Sequence, residues 1–479
     1  MTDTAAGAIP RLGNKQLTTV DCVAQSLAVG PIFSAGLLGA ILTGLSGGVG
    51  PFTIILTAIG ILGIGWTVSE YAKRYAGSGT VYEFIAQTLG KRVAVFTAGG
   101  YYIAVMALSA VGIPLIGGML LRAFINAHMG IDLPWWLYAL AVIALILVIN
   151  TLGVETSVRT QLTVIVFSLI PFLILAIKVI ADGGVSGNSA ASFNPSNVAD
   201  GGSVFKGLLF AILMFVGFEL AAALGEETKN PKRSIPRAVL ATIGIVFVVY
   251  LVTQYVIAIG SGGEGDAAIP PFFEVMADVY VGRWLQIWIE LGIILDILAV
   301  GIGFCLAGSR GLFTLSRDTL LPPGLSKLNR REQPIAGNIV VAVVGVVGVI
   351  VTLLAYGTTQ IVDENGIPLE GPVPEKAFRA FLICSTMGAF IICLSYVLLC
   401  VGALKTFATR RPVDLVAALV GLTIAGLGVA AQFIDGTAPV GDARWGLWLA
   451  LIGLALTLVW ALTSKQSAVD KVAQHTVHH

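Results

Sequence analysis

Residues 28–36 read AVGPIFSAG. They lie inside an apolar run long enough to cross a membrane, yet they contain Gly30, Pro31 and Gly36. Proline withdraws a backbone N–H and clashes with the preceding turn, and glycine is a poor helix former. Backbone groups freed inside hydrocarbon cost several kcal/mol each, so non-helical backbone is tolerated there only where it is buried in protein or lines a cavity. A second interruption is expected in FKGLLFAILMFVGFELAAALGEETKNPKR, residues 205–233. Gly217 stands between Phe215 and Phe218, and Glu219 follows, a carboxylate that must face protein or water. The alternative reading of the breaks is a packing kink at Gly and Pro, common in membrane helices. Two breaks at corresponding places in the first and sixth spans point to a transporter built from inverted repeats, with its site where the broken helices meet.

Composition agrees. The 479 residues are 56% hydrophobic and only 11% charged, against about 25% charged in soluble domains. A polytopic membrane protein follows. Apolar stretches of roughly 20 residues fall near 20–43, 49–72, 93–124, 134–152, 160–181, 203–225, 238–260, 283–314, 336–356, 376–402, 413–433 and 445–463. Twelve transmembrane helices in one integral domain are expected, between a cytoplasmic segment 1–19 and a cytoplasmic tail 464–479. Of the 28 Lys and Arg, only Arg122, Lys178, Lys206, Arg283, Lys376, Arg379 and Arg444 fall on outer loops when the N-terminus is placed inside. That bias sets both termini in the cytoplasm, and a plasma-membrane location is expected because no segment targets an organelle. The outer loops 261–280 and 357–375 lean acidic through Glu264, Asp266, Asp363 and Glu364.

Several functions are disfavoured. Net charge is +1, which argues against nucleic acid as a partner. The five cysteines lie in apolar segments without CxxC spacing and read as small buried hydrophobes. No cofactor and no metal site is expected; the tail histidines His475, His478 and His479 are the one metal alternative. The interior shows neither a nucleophile beside a base nor clustered metal ligands, so no enzyme is expected. No GxxxxGKS occurs for ATP-driven transport. A channel would need a filter shared by several chains or rings of charge, and neither is visible.

GEETKNPKRSIPRA, residues 225–238, resembles the stretch that ends the sixth span of the amino acid–polyamine–organocation (APC) transporter superfamily. SEYAKRYAGSGTVYEF (69–84) is similar to its second-span end, and AGSRGLFTLSRDTLLP (307–322) to its eighth-span end. The order of spans fits from about residue 16 to 463. The resemblance implies an all-α LeuT-type fold, with inverted five-helix repeats near 20–181 and 203–402 and two further helices at 413–463. It implies secondary transport of amino acids by alternating access, with an amine or polyamine transporter, or an amino acid/amine exchanger, as the alternative. The implied partners are a small-molecule substrate, a proton or sodium, and the lipid bilayer, the chain acting as monomer or homodimer.

The resemblance also implies a site. In relatives a GSG at the first break gives its N–H groups to the substrate carboxylate. Here Val29-Gly30-Pro31-Ile32-Phe33-Ser34 occupies that place, and Pro31 has no N–H to give. Donors are expected from Ile32 through Ser34, and the departure raises the standing of an amine. Carbonyls near Phe215, Val216 and Gly217, with the rings of Phe215 and Phe218, would suit an ammonium group. Glu219 aligns with a proton-coupling glutamate of antiporter members, and Phe304 roughly with an aromatic lining position. Asp296 is placed two turns outward, to attract a cation or to pair with an arginine. Tyr101 and Tyr102 are weaker candidates. Ser168 falls where some proton-dependent relatives place a lysine.

Overall fold

The computed structural model describes residues 12, 16–185, 187–198, 201–262, 272–356, 376–434, 441–474 and 477–478. The acidic loop residues Glu264, Asp266, Asp363 and Glu364, and His475 and His479, lie outside them. No cluster of metal-ligating side chains occurs among the described residues.

Among the described residues, eleven helices are long and apolar enough to span a membrane. They are spans one to five (Thr19–Leu45, Gly50–Arg74, Lys91–Met129, Trp135–Leu152, Val154–Asp182), seven and eight (Pro231–Gly260, Arg283–Arg317), and nine to twelve (Ile335–Tyr356, Lys376–Thr406, Pro412–Phe433, Ala443–Thr463). Span six, expected over 203–225, is the element that falls short. It is helical over Gly201–Phe215, turns at Gly217, and continues as a 3-10 segment, Phe218–Leu224. The count of twelve therefore depends on this broken element.

Burial sorts the bundle into a centre and a rim. Spans one and eight bury 78% of their apolar stretch inside the protein, whereas span nine buries only 28%. The rim presents residues such as Leu354 and Leu456, exposed as apolar side chains facing lipid would be. Spans one and eight also meet the 3-10 segment of span six, so the two interrupted elements share one neighbourhood.

Local sequence fixes where these elements start. Thr18 caps span one, and Asp21 returns a bond to the Thr18 N–H at 2.8 Å, a reciprocal capping box. Pro231 opens span seven at its first helical position, where its missing N–H costs nothing. Leu17 and Val477–His478 lie at one face, the terminal face. Leu17 pairs in parallel with Thr228, and Val477–His478 pairs antiparallel with Tyr75–Ala76.

Candidate functional site

At the first break Gly30 adopts φ +68°, the left-handed region that glycine enters without steric cost. A Cβ there would stand 2.4 Å from Cγ2 of Val300 in span eight. Helix resumes at Pro31 and runs on to Leu45 through a π stretch at Ser34–Leu38. The new N-terminus frees N–H groups with no partner in the turn before. Asp296 of span eight takes them: its Oδ2 accepts from the N–H of Ile32 at 2.9 Å and of Phe33 at 2.7 Å. Ser34 N–H is returned to the Gly30 carbonyl at 2.8 Å. The donors expected for a ligand are thus held by a side chain of the protein. Among the described residues no arginine pairs with Asp296, which sits against the first break. It is fully buried, and its Oδ1 has no hydrogen-bond partner.

At the second break Gly217 adopts φ +121°. A Cβ there would meet the Val29 backbone at 3.1 Å and the Phe304 ring at 3.4 Å. The two breaks therefore touch, with Phe304 beside the junction as expected. Glu219, also buried, is ringed by donors. Tyr101 of span three gives its hydroxyl to Oε1 at 3.0 Å, Tyr396 of span ten gives its own to Oε2 at 2.8 Å, and the Gly217 N–H reaches Oε2 at 3.2 Å. Tyr250 of span seven bonds the Met214 carbonyl at 2.7 Å and meets Phe215 edge-on. Ser26 bonds the Phe218 carbonyl at 2.7 Å. Phe218 lies tilted against Tyr396, and Phe33 meets Phe381 of span ten edge-on.

Val29–Ser34, Phe215–Glu219, Phe304, Tyr101 and Asp296 are thus brought together. Tyr102 meets Tyr101 edge-on, but its hydroxyl bonds the Gly79 carbonyl at 3.0 Å and its ring also packs on Tyr82, fastening the loop after span two. Ser168 is buried against Gly292, its hydroxyl without a partner. Gln161 of span five links spans one and eight through hydrogen bonds. Its amide donates to Gln25, which in turn donates to the Gly303 carbonyl at 2.8 Å. Tyr250 and Tyr396 escaped the sequence reading. The one available signal was a phenol inside an apolar span, whose hydroxyl needs a partner when buried.

The motif loops close the terminal face. Arg310 grips Glu227 through two bonds at 2.6 and 2.8 Å, and Arg317 grips Glu226 at 2.7 and 3.0 Å. Gly225 lies bare against Gly77; a Cβ there would stand 2.1 Å from the Gly77 oxygen. Burial raises the Glu226 carboxyl, but its bonds to Arg317 outweigh that and hold it below its ordinary range. Glu83 and Asp318 fare differently: burial pushes them up to about 8 and about 6. The two Arg–Glu pairs join the end of span eight to the loop after span six.

The amino acid permease family model matches residues 22–459. The chain belongs to the amino acid permease family. Among curated relatives of this permease, the branched-chain amino acid permease BcaP of Bacillus subtilis is 24% identical over 330 residues, 64% of this chain and 68% of that one. BcaP of Lactococcus lactis is 28% identical, with 70% and 75% of the two chains covered. The low-affinity putrescine importer PlaP of Escherichia coli is 26% identical, covering 64% and 68%. Among solved structures, that of MhsT in complex with L-phenylalanine superposes with TM-score 0.56 at 13% identity, over 94% of this chain and all of the other. The permease fold is accordingly LeuT-type, two inverted five-helix repeats followed by two helices, as an APC superfamily member should have.

Proposed function

We propose that this permease is a secondary active transporter that carries an amino acid or an amine across the plasma membrane by alternating access, with both termini in the cytoplasm and Glu219 as its proton-coupling group. Glu219 carries the reading. It stands at the break of span six, and its own Oε2 holds the Gly217 N–H that shapes that break. Ionised, it accepts bonds from Tyr101, Tyr396 and Gly217. Protonated, it must donate one, so at least one of the three contacts has to change. Proton binding is thereby tied to the geometry of the broken helix, and through Tyr101 and Tyr396 to spans three and ten. The relatives named for branched-chain amino acids and for putrescine support the substrate range.

The test is Glu219→Gln in proteoliposomes with radiolabelled leucine and putrescine. The variant is expected to keep counterflow and to lose accumulation driven by a pH gradient. A wild-type pH profile in the variant would remove Glu219 from coupling. Accumulation that follows a sodium gradient instead would assign coupling to sodium.

A further inference from the structure

At the first break the protein supplies a carboxylate of its own to the N–H groups of a mid-bundle helix start. We propose that Asp296 stands in for a substrate carboxylate, and that its unpartnered Oδ1 receives the ammonium of an amine that has no α-carboxylate. The inference rests on the transport reading above and narrows its substrate class.

Three observations carry it. First, the donors are spent. Pro31 has no N–H, Ile32 and Phe33 bond Asp296 Oδ2, and Ser34 bonds Gly30. An α-amino acid arriving here finds no free donor for its carboxylate in this turn, and with Asp296 ionised it meets a like charge. Second, Oδ1 of the fully buried Asp296 has no partner. A buried acceptor left without a donor forfeits about 1–3 kcal/mol, and more when charged. An ammonium group supplies both the missing donor and the opposite charge. Third, the place fits a cation. Asp296 Oδ2 is 3.5 Å from the Cβ position of Gly30, while the residue before, Val29, touches the second break at Gly217. Tyr250, which holds the Met214 carbonyl at that break, neighbours both Ser34 and Asp296. The edge-paired rings of Phe33 with Phe381 and of Phe215 with Tyr250 supply aromatic surface close by.

The discriminating experiment compares matched pairs that differ only by the α-carboxylate: L-leucine with 3-methylbutylamine, L-ornithine with putrescine, and L-phenylalanine with phenethylamine. Binding to the purified full-length wild type is read by thermal shift, and counterflow is read in proteoliposomes. At least one amine is expected to bind tenfold or more tighter than its amino acid. Asp296→Asn keeps an oxygen for the two N–H groups but loses the charge, and should weaken that amine at least thirtyfold. Asp296→Gly uncovers the N–H groups and should narrow or reverse the preference in the same pair. An amino acid that binds the wild type as well as its amine overturns the inference and leaves the transport reading standing. A sodium-dependent shift without any amine, abolished in Asp296→Asn, overturns it in favour of a metal ion. Failure of every pair to show counterflow overturns the transport reading and the inference with it. The wild-type comparison needs no variant, so misfolding of either substitution cannot rescue the idea.

Discussion

The two breaks solve one problem in opposite ways. The first borrows a carboxylate from another helix: Asp296 of span eight reaches across to Ile32 and Phe33, and one of its oxygens is left unpartnered. The second uses a carboxylate of its own: Glu219 folds back on Gly217 and borrows hydroxyls from spans three and ten, so both its oxygens are occupied. An acid with a vacant oxygen is suited to receive a ligand. An acid with a full set of donors is suited to rearrange them when it gains a proton. The difference assigns separate tasks to two side chains that the sequence presents as similar intrusions into apolar helices.

Glu83 shows what a buried carboxylate costs where no break provides for it. Its carboxyl is raised from 4.5 to about 8, burial being the chief cause. The sign follows: the protonated form is favoured in the folded protein, so stability is fully present below pH 4.5 and is lost as pH rises towards 8. Glu83→Gln should flatten that dependence and gain up to about 5 kcal/mol over wild type above pH 8, at roughly 1.36 kcal/mol for each pH unit separating the folded from the ordinary value. Melting temperatures from pH 5 to 9 read it; parallel curves for the two proteins would show that Glu83 is solvated. Next in size is Gly30→Ala. Left-handed backbone costs a side chain about 1–2 kcal/mol, and the clash with Val300 adds about 1–3 kcal/mol. A melting temperature within a degree of wild type would mean that the first break is not held as described.

Tyr396→Phe and Tyr101→Phe each remove one donor from Glu219. A hydrogen bond to a charged group is worth about 1.5–3 kcal/mol, so proton-driven uptake should fall by roughly tenfold or more in either variant. The double variant should fall short of the product of the two losses, because both act on one carboxylate. Strict additivity would separate the tyrosines from a common role. The smallest effect is expected from Pro31→Ser. It restores an N–H at the first helical position, but beside a turn whose donors already serve Asp296, so amino acid affinity should move by less than threefold. A larger gain would show that Pro31, and not Asp296, excludes the carboxylate.

What could be read in the sequence was local. Gly30-Pro31, Gly217 and Glu219 announce themselves because each violates the apolar helix around it within a few residues. Helix starts at Thr18 and Pro231 are equally local. Asp296 was conspicuous as an acid in span eight, but its task depends on Ile32 and Phe33, more than 260 residues away. Tyr396 reaches Glu219 across 177 residues, and no periodicity encodes that meeting. The break at Gly217 was legible in span six, but nothing local told that the chain winds on as a 3-10 segment. Ser168 was located by counting along span five; it does pack against Gly292 of span eight, but counting could not foresee that the side-chain hydrogen bond from span five to span one comes from Gln161. Tyr102 meets the Tyr101 ring edge-on, yet its hydroxyl goes to the Gly79 carbonyl and not to Glu219, which adjacency in sequence does not reveal.

Asp296 also has an electrical consequence. It lies near the middle of a 35-residue helix. With Asp296 ionised and empty, the carrier holds one fixed negative charge there; with a singly charged amine bound, that charge is cancelled. Membrane voltage, worth about 2.3 kcal/mol per elementary charge per 100 mV across the full bilayer, then acts on the return of the empty carrier more than on the loaded step. An inside-negative potential would turn the vacant site outward, towards its next substrate.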